Sequence, residues 1–454
     1  MNRVSRPFIL AFSLFSAAVS AAEWHVSGDG NDSSDGRTPA TAWRTLQRAE
    51  GAVKPGDVVL VGNGLYTDAK TGDGSAVLNI TSSGTADAWI TWKARPGHQP
   101  VVSPIGWAGI QVTGSYLVIE GFTVTGANDS IVLLDALEDA KKKQPSARFN
   151  SNGILIEGRR NKPDAKPHHI IVRRNVVSKM PGGGITALEG DYITVEDNLV
   201  FDNAWFMRYG GSGITFLDSW AHDDKPGYHI VVQRNKVWNN KTLVPWERIG
   251  KLSDGNGILL DVTEGYGAGP GATNPNADAI VGDAAALAGQ VLAKRPIWTG
   301  RALIANNISA FNGGSGIHTF RTAYVDIINN TTYWNGDTVG YQELFANRSR
   351  EVTVLNNVIV PRPGGKVTSN NRNEGLRWDY NLYPVEQNVV RGPKDIVADP
   401  QFIRVDRDLR KADFRLSKGS PALHSGTSEL AQAVDHDGAK RPQGAGVDRG
   451  AFEQ

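Results

Sequence analysis

The middle of the chain concentrates the side chains able to do acid–base and electrophilic work. Arg208 and Tyr209 come first, residues 239–257 add Lys241, Trp246, Glu247, Arg248, Lys251, Asp254 and Asn256, and Asp261, His318 and Arg321 follow. Lys251 is a candidate base if neighbouring cations and partial burial favour its neutral form. His318 is the rival base, because an imidazole titrates close to neutrality without tuning. Arg321 is suited to grip a carboxylate through two parallel hydrogen bonds, with Arg208 as an alternate. Tyr209, Trp246, Glu247 and Arg248 would line a binding surface, an indole face stacking on the apolar face of a sugar ring. Asp254, Asn256 and Asp261 offer the hard oxygen donors that Ca2+ takes. Plainer readings stand beside these: a solvated loop lysine, a hydrogen-bonded surface histidine, an aspartate shaping a turn before Gly255, and Asn256 in the same register as Asn152.

What positions these residues is a repeat. Asparagines close a series of short apolar alternations, at Asn175, Asn198, Asn235, Asn307, Asn330, Asn357 and Asn381. Ahead of most of them recurs a second element, NGILIE from Asn152, GGITAL from Gly183, SGITFL from Ser212, NGILLD from Asn256 and SGIHTF from Ser315. The glycine of the GI pair precedes its asparagine by 14 residues, and the next glycine follows after 9, in the two least interrupted repeats; the coil is 23 residues. Two or three short strands per coil bury nothing alone, but stacked about 4.8 Å apart they share one core. The fold class expected is all-β, a single-stranded parallel β-helix. The asparagines are read as structural: each sits in a tight turn, tolerating a left-handed backbone and bonding its equivalents above and below.

The period is interrupted mainly within 199–306, on both sides of successive GI strands, and again at 131–150, which carries Lys141, Lys142 and Lys143. Insertions in a solenoid project as loops from one face. Within each GI strand the residues two and four after glycine point outward, giving Leu155, Thr186, Thr215, Leu259 and His318, then Glu157, Leu188, Leu217, Asp261 and Phe320. The reading is a groove along the GI strands, walled by loops, in which the candidates converge over about three coils. A Gly/Ala/Pro-rich stretch, 265–288, has the composition of a mobile loop.

Residues 1–21 read as a secretory signal: Arg3 and Arg6, an apolar run over 8–19 too short to span a bilayer, and Val19-Ser20-Ala21. The expected location is periplasmic or extracellular. There is no cysteine, which excludes disulfides and thiolate zinc sites. The formal charge of +1 becomes −1 without the leader, so neither nucleic acid nor a membrane surface is an expected partner. A monomer is expected. The 51 glycines and 12 tryptophans suit a turn-dense, sugar-binding solenoid, although any one tryptophan is as readily core.

Residues 23–68, EWHVSGDGNDSSDGRTPATAWRTLQRAEGAVKPGDVVLVGNGLYTD, give a strand, a polar loop and a helix over 45–52 stopped by Lys54-Pro55-Gly56-Asp57. That helix would plug the open solenoid end. The segment resembles the entrance of secreted right-handed parallel β-helix proteins, including polysaccharide lyases of the pectate-lyase-like group. ITSSGTADAWITWKARPGHQPVVSP (80–104) and YLVIEGFTVTG (116–126) resemble the coils that follow, and the tail from Ala398 is similar to the closing segment of such proteins. The resemblance spans nearly the whole mature chain and marks architecture. One domain, 22–454, is expected: cap and first coils over 22–115, central coils with inserted loops over 116–397, and a C-terminal cap segment over 398–454.

The resemblance implies a lyase acting on a uronate-containing, acidic polysaccharide or oligosaccharide. Elimination needs a cation to neutralise the uronate carboxylate, a base for the proton on the adjacent carbon, and a proton for the departing oxygen. Members of the group use Ca2+ or Arg/Lys for the first task and Lys, Arg or His for the second. The alternatives are a glycoside hydrolase with a carboxylate pair, Asp218 with Asp261 or Asp261 with Glu247, and a non-catalytic glycan-binding solenoid.

Overall fold

Each coil runs through three short strands separated by three turns, and like strands of successive coils pair in parallel. The first strand of the coil is the GI strand. Ala76–Ile80, Ala108–Val112, Asn152–Glu157, Ile185–Leu188, Ile214–Leu217, Ile258–Asp261, Ile317–Phe320, Leu344–Asn347 and Asn370–Asn371 stack into one sheet, the GI sheet. A second sheet contains His168–Arg173, Asp191–Glu196, Tyr228–Gln233 and Arg301–Ala305; a third contains Val176–Ser178, Leu199–Phe201 and Lys236–Trp238. This computed structural model describes residues 21–68, 75–263, 296 and 298–454; the leader-like segment to residue 20 and the 265–288 stretch lie outside the described residues. The chain is a right-handed parallel β-helix, as its repeat and resemblance lead one to expect. No helix among the described residues is long and apolar enough to cross a membrane.

Alternation puts Ile154, Ile156, Ile170, Val172, Val177 and their equivalents into one continuous buried core. Helix α1 (Leu46–Glu50), capped by Thr45, closes the N-terminal end with Leu46 and Ala49 against that core. Trp24 and Trp43 stack beside it at 4.8 Å. The segment after Ala398 lies along the flank of the third sheet, where Leu409, Phe414, Ala451 and Phe452 pack on Phe201, Trp238, Ile308 and Phe311.

The asparagine ladder is continuous. The Oδ1 of each member accepts the backbone N–H of the one before it, from Asn175 on Asn198 at 2.9 Å through Asn357 on Asn381 at 3.0 Å. The left-handed residue is not the ladder asparagine, however, but its predecessor: Arg174, Asp197, Arg234, Asn306, Asn329, Asn356 and Tyr380 all have φ between 54° and 59°. The ladder asparagine turns inward, where its amide is fully committed to hydrogen bonds.

A second ladder runs through the turn leading back to the GI sheet. Asn203 bonds Asn240, Asn240 bonds Asn312 and Asn312 bonds Asn335, with N–H to Oδ1 distances of 2.9–3.1 Å. Its end is Glu343, whose carboxylate accepts both the backbone and side-chain N–H of Asn335. Burial pushes the Glu343 carboxyl up to about 8, and its hydrogen bonds oppose that rise.

The GI glycines answer to this stacking. A Cβ on Gly213 would lie 2.8 Å from the Gly257 carbonyl oxygen and 2.7 Å from the Asn240 amide, and one on Gly184 would lie 2.6 Å from the Gly213 carbonyl. Nothing there can yield without breaking a ladder. Gly213→Ala is therefore expected to cost about 1–3 kcal/mol, seen as a lower denaturant midpoint with an unchanged m-value.

Candidate functional site

The candidates are spread along the GI strands from the entering side to the leaving side. On the entering side, Arg208 is nearly buried. It bonds the carbonyls of Ala140 (3.0 Å) and Lys142 (2.6 Å) at the end of helix α2 (Leu133–Asp139) and pairs with Glu247 at 2.7 Å. Beneath them Ile131, Ala136, Phe149, Phe206 and Val244 form a small core of the inserted loops. Tyr209 lies under the Arg208 guanidinium, Trp246 is bridged to Lys251, and Glu247, Arg248 and Lys251 are exposed. Lys251 thus lacks the burial on which its candidacy as a base rested.

Asp254, Asn256 and Asp261 do not form one set of metal donors. Asn256 is fully buried, and its Oδ1 accepts from both the backbone N–H (2.9 Å) and hydroxyl (2.7 Å) of Ser315, a stacking role shared with Asn152 below. Asp261 ends the extended strand that Asn256 precedes, roughly 15 Å further on at the usual rise per residue. Asp254 sits in the turn before the strand, where burial raises its carboxyl to about 6. The donor set does not fit Ca2+.

His318 points outward, as its register requires, but is covered. Its ring stacks on Phe345 at 4.0 Å and lies beside Phe320 and Tyr341. Neither ring nitrogen has a hydrogen-bond partner among the described residues, and burial drives its pKa down to about 3. A histidine so depressed costs stability as pH falls below the unfolded value near 6.5 and continues to do so down to its folded value. His318→Phe is expected to be more stable than the wild type. Its advantage should widen by roughly 1 kcal/mol per pH unit between about 6 and 4, read from urea midpoints across that range.

The leaving end of the GI strands brings charged groups together. Here the chain turns the corner into the second sheet through left-handed residues, Glu189 (φ 52°), Asp218 (56°), Val262 (55°) and Arg321 (55°). Asp261 lies one coil beyond Asp218, whose backbone N–H donates to the Asp261 carbonyl at 3.1 Å. Arg321 reaches back from the next coil to the Asp261 carboxylate, Nη2 at 2.9 Å and Nε at 3.2 Å. Burial, and then the Asp218 charge, lift Asp261 to about 7 against the pull of Arg321.

On the preceding coils Glu189 pairs with buried Lys166, which also donates to the Gly158 carbonyl and lies 4.5 Å under the Trp220 ring. Glu157 pairs with Arg159 at 2.6 Å. Glu157, Glu189, Asp218 and Asp261 therefore form an acidic row over four coils, with Arg159, Lys166 and Arg321 as its cations. Such a row can donate and accept protons and can bind polar sugar substituents. Of the candidates named from sequence it unites Asp261, Arg321 and Asp218. Glu189 shares the corner register of Asp218 and Arg321, whereas Lys166 and Arg159 come from a loop that the repeat does not align.

No protein-family model matches the chain, and no curated protein matches it. Solved structures do. The crystal structure of pectate lyase Pel9A superposes with a TM-score of 0.54 at 17% identity, over 96% of this chain and 98% of that one. XylC in complex with xylose gives 0.43 and 10%, over 94% and 98%. A rhamnogalacturonan lyase gives 0.38 and 14%, over 85% and 91%. The first of these shows the fold: the parallel β-helix of that pectate lyase extends along nearly the whole of this chain.

Proposed function

We propose that the protein is an exported glycan-cleaving enzyme whose chemistry lies at the leaving end of the GI sheet, with Asp218 and Asp261 as a hydrolytic carboxylate pair. The observation that supports this is Asp261, a carboxyl lifted to about 7 beside a second carboxylate and an arginine. In this reading protonated Asp261 gives its proton to the glycosidic oxygen as the carbon–oxygen bond breaks. Asp218 takes a proton from the water whose oxygen joins the anomeric carbon. Arg321 keeps Asp261 oriented, and the exposed Arg159 suits a carboxylate of an acidic polysaccharide.

Elimination is the second reading, favoured by Arg321, which stands where it could neutralise a uronate carboxylate while Asp261 accepts the proton. Neither Lys251, exposed at the far end of the strand, nor His318, sealed under aromatic rings, is placed to act as its base. Incubation with a panel of neutral and uronate polysaccharides separates the readings. New reducing ends without ultraviolet absorbance are expected. Reducing ends accompanied by the absorbance of an unsaturated uronate would replace hydrolysis by elimination, and no cleavage of any glycan would remove both.

A further inference from the structure

Beside the acidic row, the start of the second sheet carries a group of imidazoles that the cleavage reaction does not use. One ring nitrogen from each of His168, His169 and His222 lies within 4.8 Å of the other two. We propose that these three histidines bind a divalent transition cation of the Zn2+ class through an all-nitrogen donor set.

The backbone builds the site. In an extended strand consecutive side chains point to opposite faces, but His169 has φ 54°. That left-handed step brings its ring round to the side of its neighbour, and the two Nδ1 atoms approach to 2.7 Å. The His169 ring is then fixed between two others at the same register, Tyr116 at 4.8 Å and Tyr192 at 4.3 Å, both nearly parallel to it. The third ligand comes from the insertion that follows Asp218. Its anchor is Asp191, a fully buried carboxylate that accepts the His222 backbone N–H at 2.8 Å, the Trp298 indole N–H at 3.0 Å and a hydrogen bond from His229 Nδ1. So held, the exposed His222 ring stacks on His168 at 3.6 Å.

The chemistry suits a cation. Burial and the other two rings hold His168 down to about 4, and burial likewise lowers His169. Both are therefore neutral near pH 7, the form that ligates. Among the described residues no carboxylate bonds any of these three close imidazoles, and an ion would supply the missing partner. Binding exchanges the single hydrogen bond between His168 and His169 for two nitrogen–metal bonds, and the exposed His222 ring completes the set by rotating off its stack. Nitrogen donors select Zn2+, Co2+, Ni2+ or Cu2+ over Ca2+ and Mg2+. With His222 at the surface, a fourth position faces water, the three-ligand form of a zinc site.

A bound ion would tie the 219–227 insertion to the solenoid body. That insertion carries Trp220, which covers Lys166, so the ion would also steady one wall of the acidic row. The proposal stands whichever reaction the row performs.

The test is titration of the untagged, metal-stripped full chain with Co2+ and with Zn2+. One equivalent of Co2+ is expected to give visible ligand-field absorption of a low-coordinate site, and Zn2+ to displace it and raise the melting temperature. His222→Ala, on an exposed loop, and His169→Gln should each weaken binding about a hundredfold or more, while His98→Gln leaves it unchanged. Circular dichroism reports whether each variant is folded. No uptake by the wild type, equal uptake by the folded His222→Ala protein, or Ca2+ competing as well as Zn2+ would each overturn the proposal.

Discussion

An Asp261→Asn enzyme is expected to lose roughly a hundred- to ten-thousand-fold in turnover while remaining folded. The asparagine Oδ1 still accepts from Arg321, so the corner keeps its hydrogen bond; what disappears is the proton that Asp261 holds at neutral pH. The pH profile carries the same signature. With Asp261 as the acid and its folded pKa at about 7, kcat/KM of the wild type should be sustained below that value. It should then fall about tenfold per unit above it, and the alkaline limb should vanish from the residual activity of the variant.

Stability should move the other way. The folded state raises the Asp261 carboxyl above its unfolded value of 3.8, so the wild type loses stability as pH rises from about 4 through 7. Asp261→Asn has nothing to ionise there and gains relative to the wild type over the same window. Loss of activity with a pH-dependent gain in stability is what a strained functional carboxyl gives and a structural ion pair does not. Lys251→Ala, at the other end of the strand, should keep its kcat. An inactive Lys251→Ala enzyme beside an active Asp261→Asn enzyme would move the chemistry to the entering side.

The frame of the molecule is legible in its sequence because solenoid stacking repeats one physical demand at every coil. A buried asparagine must recur where the chain turns, and a glycine must recur where an added Cβ would come within 3 Å of the next backbone. The second ladder could be read the same way: Asn203, Asn240, Asn312 and Asn335 each follow a first-ladder asparagine by five residues. The short third-sheet strands between the two ladders hide that pairing from a search for apolar alternation. The site is less legible, because it depends on covering, strand length and stacking that the repeat does not encode.

Alternation tells which way a side chain points, not whether anything covers it. His318 faces outward into Tyr341 and Phe345, and the apolar Leu155, Leu259 and Phe345 stacked in its own row already signal a covered surface. Proximity in sequence also misleads along a strand, as Asn256 and Asp261 show, because every extended residue adds about 3.3 Å. Lastly, the acidic row is assembled at left-handed corner residues, and its cations arrive from neighbouring loops and coils. Glu189 meets Lys166 and Asp261 meets Arg321 only once the coils are stacked.

The ladders themselves set the largest expected change in stability. The Oδ1 of Asn235 accepts the backbone N–H of Asn198, and its Nδ2 donates to the carbonyls of Val195 and Gln233 and to Asn307. The side chains of Asn198, Asn235 and Asn307 cannot reach water, since they have no exposed surface. Asn235→Ala orphans two or three buried polar groups, each at about 1–3 kcal/mol, for a total of roughly 3–6 kcal/mol. Asn240→Ala, in the second ladder of the same coil, breaks an equivalent set and should cost as much. Asn371→Ala removes a similar side-chain pair, 2.8 Å from Asn347, but at an exposed site, and should stay within about 0.5 kcal/mol of the wild type. Because each coil touches only its neighbours, damage at the Asn235 coil should also weaken the coupling between the two halves. Unfolding followed by circular dichroism and by tryptophan fluorescence should then show two transitions in place of one. Equal midpoints for Asn235→Ala and Asn371→Ala would mean that the ladder is a consequence of the stacking and not one of its causes.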